Sequence, residues 1–438
     1  MKNMLLAIPA LALLLLAAHH FRQGDMGMAA AYLLMMGLLL TRQGWVRFAL
    51  VAVLGFGAYE WAGVAVDFIR FREALGAPWT RLAMIMGCVF LFNLGAMAVM
   101  LGKVAGERFE RNATNAPWQA TAFCLSLFGL GTIRELAPVP MLLVDRYLSG
   151  WGPLEILCLA VYAAWLSGKM AVPRHALRFR PRLWALFSLV FFAQLCLGLL
   201  GMEKMLMTGD LHLPVPALIV AGPVFRGGGY FMLMLFLATI LLVGPAWCSH
   251  LCYIGAWDDL LSRRGPRPAP SKTLGRWSVL GRVITLIMVL AVAAGLRMAG
   301  AEALVAVILA AVFGLAGVGV MVLFSRRGGM MVHCSAFCPL GLVGNVLGRL
   351  SPWRMRVGAE CDVCGACFAR CRYNALSETT ISTGQAGLSC TLCGDCVSAC
   401  TRQQIGYGFP GLGPARSRAL FLTLVASLHA VFLGVARM

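Results

Sequence analysis

Charged side chains are few in this chain. They make up 13% of its 438 residues, against 60% hydrophobic, and the mean hydropathy is +0.81. A soluble fold of this length needs a far more polar surface, so the balance excludes one and implies a polytopic membrane protein. Acid is the scarcer sign: 18 Asp and Glu stand against 37 Lys and Arg, a net charge of +19. In a soluble chain that excess would suggest nucleic acid. Here the basic residues cluster in short segments between apolar runs, which membrane orientation requires, so the charge argues against a nucleic-acid partner. The first apolar run follows Lys2 and ends at Ala17-Ala18 without a clean small-x-small cleavage site. It reads as an uncleaved anchor, not a signal peptide.

Apolar runs of about 20 residues predict about eleven spans. They fall at 3–19, 26–41, 48–66, 82–102, 117–133, 151–171, 183–202, 229–247, 277–297, 302–324 and 417–436. Three basic segments contain no acid: the first two are 173–182, with Arg174, Arg178, Arg180 and Arg182, and 262–276, with Arg263, Arg264, Arg267, Lys272 and Arg276. A third, 325–356, holds Arg326, Arg327, Arg349, Arg354 and Arg356. The positive-inside bias puts all three in the cytoplasm. Residues 205–229 carry Pro214, Pro216, Pro223 and three consecutive glycines, so they read as an outer interfacial segment and not a span. On the outer loop, 203–228, Glu203, Asp210 and His212 read as ordinary loop polarity. Glu60, Asn93 and His429 fall inside apolar runs, where an ionisable or polar group is a functional candidate. Twenty-four methionines read as flexible apolar filler.

There are 16 cysteines. Cys88, Cys124, Cys158 and Cys196 lie singly in apolar runs and read as small buried hydrophobes. Eight others form two copies of C-x-x-C-x-x-C-x-x-x-C: Cys361, Cys364, Cys367, Cys371 and Cys390, Cys393, Cys396, Cys400. This is the bacterial ferredoxin spacing for two cubane [4Fe–4S] clusters, in which the fourth cysteine of each motif serves the other cluster. Cys361, Cys364, Cys367 and Cys400 are then expected to hold one cluster, and Cys390, Cys393, Cys396 and Cys371 the other. The competing chemistry is a pair of zinc knuckles, which rarely use this run in duplicate. Gly365 and Gly394 follow the second cysteine of each motif, where the loop must turn tightly. The proline usual after the fourth cysteine is missing; Arg372 and Thr401 stand there.

The last four cysteines form two C-x-x-x-C pairs, Cys248/Cys252 and Cys334/Cys338, each at the cytoplasmic end of a span. On a helical turn that spacing puts both thiols on one face. Brought together, the pairs would make a third metal centre, a dithiol relay, or mere packing. His250 and His333 beside them are candidate ligands or proton carriers, though such residues are commonly interfacial.

Residues 183–408 resemble the NapH/NosR-type membrane polyferredoxins. These have four spans, a C-x-x-x-C-P signature after the second and the fourth, and then a two-cluster ferredoxin module. Tyr253 replaces the first signature's proline; Pro339 keeps the second. The resemblance implies electron exchange with the quinone pool and with other redox subunits, membrane or cytoplasmic, in a bacterial inner membrane. It carries Cys248, Cys252, Cys334 and Cys338 over as redox or metal residues. No soluble segment is large enough for the outer flavin domain of some relatives. Some other relatives handle metal, as copper reductases or metallocentre assembly factors. Those usually end in a soluble β-domain, whereas this chain ends in an apolar run.

The expected architecture is an all-α polytopic membrane bundle with a small α+β two-cluster ferredoxin-like module on its cytoplasmic side. The chain then divides into four regions: an N-terminal membrane domain (1–182) for partner or quinone docking, a four-span core (183–350), the ferredoxin domain (351–410) and a last span (411–438). The first and last are extra to the family pattern.

Overall fold

The computed structural model describes residues 5–206 and 213–435; Asp210 and His212 lie outside that range. Among the described residues eight helices are long and apolar enough to cross a bilayer: Gly44–Ala74, Thr80–Leu101, Gly152–Ala171, Pro173–Leu199, Phe231–His250, Lys272–Met298, Ala303–Gly328 and Pro414–Val435. In lipid every backbone N–H and C=O must be satisfied within the segment, so these runs fold as helices. The other three expected spans are helical too. Ala7–Gln23 and Met26–Leu38 are shorter, and Ala116–Leu136 carries Gln119, Ser126, Arg134 and Glu135. Leu218–Arg226, inside the expected interfacial segment, forms a helix of nine residues, too short to span.

The basic segment 173–182 is not a loop. It forms the first turns of Pro173–Leu199, because proline fits the first helical position and arginine is a good helix former.

The chain forms two compact units. One comprises the residues up to Gly168 together with Ala426–Val435; the other is Lys169–Val425. The first unit packs its helices through Leu13, Leu16, Val46, Leu50, Leu54, Ala96, Met100 and Phe123. Its polar groups are mostly tied down. Asn93 Nδ2 donates to Leu54 O (2.5 Å), Tyr32 Oη donates to Glu60 Oε2 (3.0 Å), and Tyr162 Oη meets His429 Nδ1 at 3.2 Å.

The second unit carries all twelve motif cysteines. Its two strands, β1 (Arg354–Val357) and β2 (Ile405–Gly408), flank the ferredoxin array and pair antiparallel, Arg354 opposite Gly408 and Val357 opposite Ile405. That pairing closes the array into a loop. Tyr407 of β2 stacks on Phe421 (centroids 4.4 Å apart), and Trp353 Nε1 donates to Leu242 O (2.9 Å). These contacts fix the module to the apolar helices.

The four single cysteines depart from expectation. Cys88, Cys158 and Cys196 are exposed on their helices and Cys124 is half-buried. A helix surface that faces lipid is itself apolar, so a small hydrophobe has no need of the protein core.

Candidate iron–sulfur sites

Cys361, Cys364, Cys367 and Cys400 line one cavity of about 420 Å³. Cys371, Cys390, Cys393 and Cys396 line a second of about 320 Å³. Each cavity takes three cysteines from one motif and the fourth from the other. Each cavity has one buried cysteine, Cys367 and Cys396; Cys364 is exposed, so the first cavity opens outward on that side, whereas no cysteine of the second is exposed.

The two motifs share an unusual backbone. Val363 (φ 52°) and Leu392 (φ 55°) adopt the left-handed conformation, as do Asn374 (φ 54°) and Gln403 (φ 55°), and Gly365 (φ 76°) and Gly394 (φ 79°). Each pair is related by the same 29-residue step that takes Cys361 to Cys390. A β-branched residue such as Val363 pays roughly 1–2 kcal/mol there, so the surrounding structure must enforce the turn. The same step relates two amide-to-sulfur contacts: Ala375 N–H donates to Cys371 Sγ (3.2 Å) and Gln404 N–H to Cys400 Sγ (3.3 Å). Inward-turned thiols with amides aimed at sulfur suit a thiolate-bound cluster.

A third cavity, about 340 Å³, is lined by Cys248, Cys252, Cys334 and Cys338, with Trp247, Asn345, Tyr373 and Thr391. The structure thus brings both C-x-x-x-C pairs together. Each pair ends a helical turn: Cys252 N–H donates to Trp247 O (3.0 Å) and Cys338 N–H to His333 O (2.8 Å). A nine-residue helix then starts, Gly255–Arg263 after the first pair and Pro339–Leu347 after the second. The leading amides, of Ile254 and Gly255 in one and of Leu340 and Gly341 in the other, pull the Cys252 and Cys338 thiols down. A helix N-terminus stabilises a thiolate. Burial works the other way. It pushes the Cys252 and Cys390 thiols up to about 12 and Cys367 to about 11, so without a metal these groups keep their protons.

Glycine at 255 and 341 is required by the close approach. A Cβ would lie 3.1 Å from Cys248 O at Gly255 and 2.9 Å from Cys334 O at Gly341. The two segments read C-S-x-x-C-x-x-G, 86 residues apart from Cys248 to Cys334. Sequence reasoning missed this second repeat, although the shared Ser and Gly were visible. His250 and His333 are buried but do not line the cavity.

Tyr373 and Thr391 line both the second and the third cavity, so the two share a wall. Around that wall the module is clamped to the helices. Ser249 Oγ donates to Thr391 O (2.8 Å), Asn345 Nδ2 to Cys390 O (3.3 Å), and Arg372 Nη1 to Ser262 O (2.8 Å) and Gly329 O (2.7 Å). Arg372 stands where the usual proline is missing; here it docks the module. Arg180, 2% exposed, grips Asp395 through two hydrogen bonds (3.0 and 2.9 Å) and Asp259 through one (3.1 Å), and Arg263 bridges the same two acids at 2.6 and 2.8 Å. Burial alone would raise the Asp259 carboxyl, but the two guanidiniums outweigh it and hold the group below the usual carboxylate range. Removing one partner from such a buried cluster costs about 3–5 kcal/mol. Asp395 lies between Cys393 and Cys396, so this clamp sits directly on the second cavity. Nothing in the sequence pattern marked Arg180 as a buried residue.

A family model described as a 4Fe-4S binding domain matches residues 225–272 and 310–358. The chain carries ferredoxin-type iron–sulfur binding segments. Each matched stretch contains one C-x-x-x-C pair, in phase with the 86-residue repeat, and the eight-cysteine array comes after the second. No curated protein and no solved structure matches this chain. Among the described residues no group of three or more His, Cys, Asp and Glu side chains is drawn together as a single metal ion would need. A tetrahedral zinc site would hold its sulfurs about 3.8 Å apart, given Zn–S bonds of about 2.3 Å. Rings of four cysteines around a cavity suit a multi-iron core better.

Proposed function

We propose that this chain is the electron-transfer subunit of a membrane redox complex, passing electrons between the quinone pool and protein partners through two [4Fe–4S] clusters. The supporting observation is the crosswise grouping of eight thiols: Cys361, Cys364, Cys367 and Cys400 for one cluster, Cys371, Cys390, Cys393 and Cys396 for the other. A bound cluster supplies one-electron chemistry at each cavity, its potential set by burial and by hydrogen bonds to sulfur. The residues do the rest. Exposed Cys364 and Val363 leave the first cavity open to a protein partner, while Arg180, Arg263 and Arg372 hold the second against the helices. Ser398 Oγ donates to Pro173 O (2.8 Å), so the basic start of that helix lies on the module's side. With the positive-inside bias this supports a module on the cytoplasmic face of a bacterial inner membrane.

The experiment is reconstitution of the anaerobically purified protein in liposomes with a reduced quinol analogue, followed by absorbance and EPR. Cluster reduction by quinol, or reoxidation by quinone, is the expected result. Inertness to quinone with rapid electron delivery to Cu(II) would replace this reading with metal handling.

A further inference from the structure

Arg282 lies in the apolar helix Lys272–Met298 and is 1% exposed. Among the described residues its guanidinium donates only to neutral groups. Nε donates to Ser278 O, Nη1 to Asn345 Oδ1 (2.6 Å), and Nη2 has no partner among the described residues. Asn345 lines the third cavity, and the position of a Gly341 Cβ would lie 3.7 Å from Arg282 Nη1. Gly341 and Asn345 both line that cavity, so the guanidinium stands directly behind the wall shared with the four cysteines. Among the described residues no carboxylate forms an ion pair with it. Asp259 and Asp395 are engaged by Arg180 and Arg263, and Asp258 Oδ2 instead accepts from Cys334 N–H (3.0 Å).

A buried cation without a partner is costly, and proteins keep one only against an anion. Four neutral thiols, or two disulfides, would leave Arg282 uncompensated. Four thiolates around an iron–sulfur core carry net negative charge, and reduction adds one more. On the electron-transfer reading above, we propose that Cys248, Cys252, Cys334 and Cys338 hold a third, anionic iron–sulfur centre, and that Arg282 is its fixed counter-charge, favouring the reduced form. Arg282 touches no sulfur by hydrogen bond; it is a positioning residue acting through charge. It makes the third centre easier to reduce than its cysteines alone would.

The test is an EPR-monitored redox titration of the full-length, anaerobically purified protein with dithionite as reductant, together with iron analysis. Arg282→Gln is expected to move one centre to lower potential and leave the other two in place. Arg282→Lys, which keeps the charge, is expected to retain the parent potential and the full iron content. Cys248→Ser is expected to remove the same signal with about a third of the iron, as one cubane of three. The proposal is overturned if Arg282→Gln moves no potential or moves all three alike, or if Cys248→Ser removes no iron. Should Arg282→Gln fail to assemble, Arg282→Lys decides: loss of the third centre despite a retained charge also overturns it. The two readings fail separately. Three intact signals without quinol-driven reduction sink the quinone reading alone, and two signals with quinol-driven reduction sink the third centre alone.

Discussion

Val363 has the most strained side chain around the first cavity. It is β-branched, holds φ at 52°, and is 44% exposed. Glycine would remove a penalty of roughly 1–2 kcal/mol and add about 0.5–1 kcal/mol of unfolded-state entropy. Little burial is lost, so Val363→Gly is expected to stabilise the loaded protein by about 0.5–1 kcal/mol, read as a higher thermal midpoint. Leu392 has the same backbone but is only 3% exposed. Losing about 2 kcal/mol of burial makes Leu392→Gly destabilising instead. Opposite signs at two positions related by the 29-residue step are the outcome to look for; two equal losses would mean that the loops are not strained. The buried thiols make a second residue-scale prediction. Cys252 and Cys390 are pushed up to about 12, so the unloaded sites stay protonated from about pH 6 to about pH 9 and iron loading must release those protons. Each proton released makes loading about 1.4 kcal/mol weaker for every unit that the pH falls. Iron retention against a chelator should therefore decline steadily as pH is lowered, and a flat profile would show that the thiols are already ionised without iron. At this scale the cysteines were legible from spacing alone. Val363, Arg180 and Arg282 were not, because a left-handed φ is imposed by tertiary contacts, and arginines near basic runs read as solvated by default.

The C-x-x-x-C pairs depend on the short helices that come after them. Gly255–Arg263 and Pro339–Leu347 aim their first amides at Cys252 and Cys338, and Gly255 and Gly341 allow the helix to begin against the preceding carbonyl. A methyl at 341 would sit 2.9 Å from Cys334 O, and backbone on both sides leaves nothing soft to yield. Gly341→Ala is expected to lower iron content by about a third, as one cubane of three, leaving the other EPR signals intact. Gly413→Ala meets nothing within 4 Å and is expected to keep full iron. Equal iron in both variants would show that the third cavity does not depend on this packing. Apolar run length made the long helices legible, since lipid demands internally bonded backbone. It could not place their ends. The basic turns at Pro173 belong to a helix whose Arg180 finds carboxylates only in the folded chain.

At the level of the whole molecule, two repeats of different period converge within one unit. The 29-residue repeat builds the first two cavities, the 86-residue repeat builds the third, and every lining residue lies in Lys169–Val425. The first unit, up to Gly168 with Ala426–Val435, contributes none of these cysteines. It does contain Glu60, bonded by Tyr32 and 3.6 Å from His20, an ionisable group within an apolar helix of the kind that marks function in membranes. The two roles should therefore separate. A chain that starts at Lys169, which lacks all of the first unit except Ala426–Val435, is expected to bind its full iron complement and to be reduced by dithionite. If the first unit supplies quinone or partner docking, the same chain should no longer be reduced by a quinol analogue. Iron analysis and EPR of the shortened protein, with both reductants, distinguish the possibilities. Full iron with quinol reduction intact would place quinone exchange inside the iron–sulfur unit. Loss of iron would mean that the first unit holds the second together, and the division of labour would fall.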